Sequence, residues 1–276
     1  MDLLIFGSLR YPAKHQFKFK LEYGNGHKVL GPGETDTDEF AKVLFDGIIG
    51  LAFPGLSHLS GDPFFVSAIK QDQLKDLENK FAFVFSTKPG VTSLTLGCIE
   101  DTAYKDKTEK HLLAEEDSHW ELGEADLSIL QLIALLSSFN MVIDIGAYKI
   151  TGPPAAVDFL YKQIPDARQY VSPDLEAGNH YTFPCASIPS VSFHWHQDNY
   201  WSMSSDTVSL GPIKEDPSCC LGSIIGLDMT KTLGENTWIL GEMFLRNVYT
   251  VFSMDDPSNK KPENRLKLYV GFAELK

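Results

Sequence analysis

Three short apolar runs that stop on glycine constrain this chain more than any other feature. In Met141-Val142-Ile143-Asp144-Ile145-Gly146 an apolar strand delivers one aspartate onto a Gly turn. Gly241 closes a second run, Trp238-Ile239-Leu240-Gly241, 97 residues beyond Asp144 (241 − 144 = 97). Ile48-Ile49-Gly50 repeats that second motif near the start of the chain, a weak sign of internal duplication. Brief apolar runs bounded by turn residues read as buried strands. An aspartate at the end of such a strand is a candidate for chemistry.

The segments around these motifs resemble the pepsin-like aspartic proteases. The resemblance is carried by Phe45-Asp46-Gly47-Ile48-Ile49-Gly50-Leu51-Ala52-Phe53-Pro54, by Asp144-Ile145-Gly146-Ala147, and by Trp238 to Arg246. Tyr23-Gly24-Asn25-Gly26 resembles the tip of that family's flap hairpin, and its Asn-Gly suits a tight turn. The alternation in Phe17 to Tyr23 before it reads as a half-buried strand. The resemblance implies a bilobal all-β fold, with an N-terminal lobe over residues 1–112 and a C-terminal lobe over residues 113–276. It also implies a catalytic role for Asp144, and substrate contacts for Tyr23, Gly24, Gly26, Gly146 and Ala147.

Such enzymes need two lobes and two aspartates. The first lobe shows its closing turn, Ile48-Ile49-Gly50, without an aspartate turn to match. If both lobes kept the 97-residue spacing, the partner of Gly50 would fall near position −47 (50 − 97 = −47). Asp36-Thr37-Asp38 lacks the Gly and lies in a polar run, Gly33 to Glu39, that reads as a loop. Asp46 belongs to the closing segment itself. The chain is therefore expected to begin inside the first lobe, with that lobe incomplete. Met1 to Gly7 does not read as a secretory signal, since its apolar stretch is short and carries an acid.

Composition narrows the function classes. A formal net charge of −13 argues against nucleic-acid binding, which rests on Lys and Arg neutralising phosphate. No apolar stretch reaches the roughly 18 residues of a membrane-spanning helix. His194-x-His196 has no third ligand nearby, so both histidines read as solvated strand residues. No metal or other cofactor is expected. Pro63 to Leu74 and Thr151 to Leu160 read as helical segments. Phe81 to Phe85, Ser93 to Gly97, Val191 to Trp195 and Leu266 to Phe272 read as strands, the last with one apolar face.

Among four cysteines, the family resemblance implies a second-lobe disulfide from Cys185 to Cys219 or Cys220, with Cys98 free. It further implies a secreted or lysosomal/vacuolar setting, a polypeptide substrate or peptide ligand, and a monomer. One aspartate per chain pairing in a homodimer is disfavoured, because residues 12–110 would obstruct the pairing face.

Acid proteolysis uses two close carboxylates that share one proton and hold a water. Their repulsion splits the two pKa values and gives one base and one acid. A lone carboxylate lacks that splitting. In addition, Ile145 stands where the family carries a hydroxyl residue, and Ile neither donates nor accepts a hydrogen bond. The expectation is an aspartic-type endopeptidase scaffold with impaired chemistry; the alternative is a non-catalytic homologue that binds peptides or protein partners.

Overall fold

The computed structural model describes residues 3–6, 47–56, 62–71, 73–74, 78–85, 92–106, 108–113, 119–129, 132–195, 199–254 and 268–276. Its strands begin with β1 (Leu3–Phe6), β2 (Gly47–Gly50), β3 (Lys80–Val84), β4 (Ser93–Leu96), β5 (Glu109–Leu112) and β6 (Glu121–Ile129). They continue with β7 (Leu132–Ile143), β8 (Ile150–Gly152), β9 (Arg168–Tyr170), β10 (His180–Pro184), β11 (Val191–Trp195) and β12 (Asn199–Ser202). The last six are β13 (Ser209–Pro212), β14 (Cys219–Gly222), β15 (Ile224–Gly226), β16 (Thr237–Leu240), β17 (Val248–Ser253) and β18 (Tyr269–Glu274). Among the described residues four short α-helices accompany them: α1 (Phe64–Lys70), α2 (Pro154–Lys162), α3 (Ser205–Val208) and α4 (Glu242–Leu245). The all-β pepsin-like expectation holds.

A seven-stranded sheet in the order β12-β11-β6-β7-β16-β8-β15 carries both glycine turns of the C-terminal half. Strand β16 lies parallel to β7, with Leu240 opposite Ile143, and antiparallel to β8, with Leu240 opposite Ile150. A five-stranded sheet, β4-β3-β17-β18-β5, joins strands from residues 80–112 to strands from residues 248–274. A four-stranded sheet, β13-β14-β10-β9, flanks them, and β1 pairs with β2.

The largest core cluster spans these sheets. Trp120, 1% exposed, packs its ring against Phe53, Phe81 and Phe252 at centroid distances of 4.5, 5.6 and 5.0 Å. Such aromatic contacts add to the area they bury. Gly152 is required by packing: a Cβ there would sit 2.5 Å from the Trp238 ring.

Several sequence expectations change in detail. Helix α1 stops at Lys70, well short of Leu74, and Pro63 caps its start instead of lying within it. The last strand starts at Tyr269, and Tyr269 to Ala273 are all buried rather than alternating, since Val270 and Phe272 pack in the main core on one face while Tyr269 and Ala273 pack in a second cluster on the other. His194 is 4% exposed, not solvated. It lies opposite Asp126 on β6, with Nδ1 3.8 Å from that carboxylate, and its ring is 4.5 Å from Tyr200 on β12. Side chains from both flanking strands thus crowd the imidazole that was expected to meet water. His196, Phe17 to Tyr23, the flap candidates Tyr23, Gly24 and Gly26, and the loop Gly33 to Glu39 lie outside the described residues.

The β1–β2 pairing also revises the spacing expected for the first lobe. Leu4 stands opposite Ile49 and Ile5 opposite Ile48, which repeats the antiparallel register of Ile150 with Leu240 and Thr151 with Ile239. Strand β1 is thus the counterpart of β8. Asp144 precedes Ile150 by six residues, and six residues before Leu4 is position −2 rather than −47.

Candidate active site

Strand β7 ends in the apolar run Met141–Ile143 and is held there on both edges, so Asp144 emerges from a rigid base. Glu121 and Leu122 of β6 oppose Val142 and Met141 on one edge, and Trp238 to Leu240 oppose Met141 to Ile143 on the other. The backbone N–H of Asp144 continues this second pairing by donating to the Leu240 carbonyl at 3.1 Å. The turn then closes on itself. Gly146 N–H donates to Asp144 Oδ1 at 2.8 Å, and Ala147 N–H to the Asp144 carbonyl at 3.3 Å.

A second turn locks the first. Glu242 N–H donates to the Ala147 carbonyl at 2.8 Å, and Met243 N–H to the Tyr148 carbonyl at 3.0 Å, both from the start of α4. Gly241 sits where these chains cross; a Cβ there would collide with the carbonyl oxygens of Ala147 and Lys149. The glycine that ends the second apolar run is therefore the device that lets the two turns meet. Asp144 is 8% exposed, while Gly146 beside it is open to solvent. The structure brings Asp144, Gly146 and Ala147 together on one turn, as the sequence suggested.

Ile145, where a hydroxyl residue was expected, is also 8% exposed and packs in the main core cluster. Tyr148 turns the other way, half exposed, with its ring 5.9 Å from the Arg246 guanidinium. Arg246 is itself held by Glu242 Oε1 at 2.8 Å from Nε.

His119 belongs to this site and escaped the sequence reading. Ile143 N–H donates to the Trp120 carbonyl at 2.9 Å, and Glu121 N–H turns back to the His119 carbonyl at 2.7 Å, so the chain bends at His119 just before β6 begins. Burial is the largest influence on this imidazole and holds it below its ordinary pKa of 6.5; the amino-terminal charge adds to that, and the Asp144 carboxylate opposes it. Only the folded structure could have brought together two residues 25 positions apart (144 − 119 = 25). Next to it, the Trp120 indole donates to the Leu51 carbonyl at 3.1 Å, tying the residue after Gly50 to the strand facing Asp144.

The disulfide lies in the four-stranded sheet, between Cys185 and Cys220, with Cα atoms 4.9 Å apart. Cys98 and Cys219 are free thiols. Strand parity makes the choice that the sequence left open. Phe183 opposes Cys220 and Pro184 opposes Cys219, so Cys185, two residues after Phe183, shares a face with Cys220. Among the described residues no group of three or more His, Cys, Asp or Glu could hold a metal ion. No helix among them is long and apolar enough to cross a membrane.

A family model for eukaryotic aspartyl protease matches residues 26–260. An aspartic protease of Phaffia rhodozyma is 26% identical over 230 residues, which cover 82% of this chain and 53% of that protein. Cathepsin D of Clupea harengus is 28% identical over 257 residues, 90% of this chain and 58% of that protein. Plasmepsin IV of Plasmodium falciparum is 29% identical over 249 residues, 88% of this chain and 49% of that protein. The chain thus spans about half the length of the curated relatives it matches. With that match over most of its residues, and with the Asp144 and Gly241 turns interlocked as described, the chain belongs to the eukaryotic aspartyl protease family.

Proposed function

We propose that these 276 residues supply one catalytic half of an aspartic-type endopeptidase site, with Asp144 as its carboxylate and a polypeptide as its ligand. The observation that carries the reading is the Asp144 turn, presented by a strand paired on both edges and locked to Gly241 through backbone hydrogen bonds. Peptide hydrolysis by this chemistry needs a second carboxylate close to the first. The register of β1 on β2, compared with that of β8 on β16, supports a counterpart outside the 276 residues, so by themselves they are expected to bind peptide without cleaving it.

A second reading has its own support. Ile145 fills a core position where the resemblance implies a hydroxyl, which suits a homologue that holds peptides or protein partners without turnover. In both readings residues 1–112 and 113–276 form two lobes, and supporting this is the five-stranded sheet, which takes strands from each. The Cys185–Cys220 disulfide supports a secreted or lysosomal/vacuolar setting, since disulfides persist in oxidising compartments. A net charge of −13 supports a protein that does not bind nucleic acid. We propose a monomer.

Pepstatin, a peptide built to occupy such a site, provides the test. Calorimetry should show binding that Asp144→Asn weakens by about tenfold, or about 1.4 kcal/mol. Absence of binding, or binding indifferent to that substitution, would overturn the reading.

A further inference from the structure

We propose that Cys219 is a modification site: a half-buried free thiol, set against Arg168 and Asp216, that forms a mixed disulfide with a low-molecular-weight disulfide. The site is separate from the Asp144 turn and does not depend on the peptide reading.

Register builds it on one face of the four-stranded sheet. Thr182 of β10 opposes Arg168 of β9 on one side and Leu221 of β14 on the other, and Pro184 opposes Cys219. Residues two apart on a strand share a face, so Arg168, Thr182 and Cys219 project the same way, away from the Cys185–Cys220 bridge. The Arg168 side chain therefore crosses β10 to reach β14, where its Nη2 donates to Cys219 Sγ at 3.2 Å. Asp216, in the turn before β14, completes a triangle. Its Oδ2 lies 3.2 Å from Cys219 Sγ and 3.3 Å from Arg168 Nη2. Ser218 fixes the other oxygen, Oδ1, with its N–H at 3.1 Å and its hydroxyl at 2.6 Å. Glu215, the second acid of that turn, is engaged by the Tyr170 hydroxyl at 2.7 Å.

Thr182 points to a ligand independently of the thiol. It is 0% exposed, and its hydroxyl has no hydrogen-bond partner among the described residues. The Arg168 side chain above it is 62% exposed, so an incoming polar chain that draws the guanidinium outward gains that hydroxyl as a partner. In the exchange, the Cys219 sulfur attacks one sulfur of the small disulfide. That S–S bond breaks, a Cys219 S–S bond forms, and the departing sulfur takes up the proton that Cys219 gave up. The number of disulfides is unchanged, so no further oxidant is needed. Arg168 stabilises the negative charge that passes across these sulfurs and offsets Asp216 beside it. Cys98, the other free thiol, is the more exposed of the two but sits among carboxylates. Partial burial, then Glu100 and Glu78, push its thiol up. Exposure alone selects Cys98; charge selects Cys219.

Incubating the 276-residue chain with glutathione disulfide at mildly alkaline pH, and mapping peptides without reduction over time, reads both thiols in one sample. Cys219 should be modified at least about threefold faster than Cys98. Arg168→Gln should slow Cys219 about fivefold and leave Cys98 unchanged, and Arg168→Lys should restore most of the rate. Asp216→Asn should raise the Cys219 rate, because the opposing carboxylate is gone. Modification of Cys98 first, attachment at Cys185 or Cys220 through an opened bridge, or a Cys219 rate indifferent to Arg168→Gln would overturn the proposal. Should Arg168→Gln fail to fold, Asp216→Asn decides: an unchanged or slower Cys219 rate there overturns it equally.

Discussion

Trp120 joins the two motif-bearing regions through one hydrogen bond and a set of ring contacts. Its indole donates to Leu51, one residue past Gly50, and both residues are 1% exposed. Trp120→Phe keeps most of the ring packing but strands that buried carbonyl, so a loss of about 1–3 kcal/mol is expected in urea unfolding. Gly241 is less forgiving. A methyl group there meets two backbone carbonyls, neither of which is the end of a flexible side chain. Gly241→Ala should cost about 3 kcal/mol or more and should broaden the NMR signals of Gly146 and Ala147. At His119 the sign of the pH effect is fixed by its lowered pKa. Stability is full above the ordinary value of 6.5 and falls as pH drops toward the folded-state value, because the unfolded chain takes up the proton first. His119→Gln should therefore flatten the fall of the urea midpoint as pH drops below 6.5. Asp144 itself was legible from an apolar run and a glycine. His119 was not, because nothing in its local sequence marks it and its meaning comes from the Asp144 carboxylate that the fold brings near it.

Among the elements, the disulfide shows what pattern supplies and what it withholds. Adjacent Cys219 and Cys220 are equivalent in spacing to Cys185, but a strand points them to opposite faces. The bridge closes a separation of 35 residues, worth about 4 kcal/mol in the chain-entropy account. Cys220→Ser should lower stability by about 2–5 kcal/mol. Cys219→Ser should change it by no more than about 0.5 kcal/mol, because the serine hydroxyl can take over the thiol's hydrogen bonds to Asp216 and from Arg168 at this surface site. Matched losses in thermal unfolding would mean that the two cysteines exchange as partners of Cys185. Strand β11 gives the opposite lesson. Its alternation of Val191, Phe193 and Trp195 with Ser192 and His194 suggested a wet polar face, and side chains of β6 and β12 enclose His194 instead. Period-two patterning identifies a strand but does not say what packs on its polar side. The β1 strand was hidden for a different reason. Four residues, Leu3–Phe6, carry no periodic signal, and only their register against β2 shows that they repeat β8.

For the whole molecule, the asymmetry between the two closing strands should govern stability. Strand β16 is paired on both edges within seven strands, whereas β2 belongs to a two-stranded sheet among the described residues. Two-stranded pairs are marginal without further support. Hydrogen exchange at Ile49 should accordingly be faster than at Leu240, as expected of locally opening elements. Equal protection at both would show the first lobe to be as firmly closed as the second. The central claim is that Asp144 is one carboxylate of a two-carboxylate site whose other member lies outside these residues. Incubating the purified 276-residue chain with unfolded haemoglobin, at acid pH and with and without pepstatin, tests it most directly. No pepstatin-sensitive cleavage is expected. Turnover that disappears in Asp144→Asn would contradict the account and would mean that this chain finds its second acid within itself or in another copy.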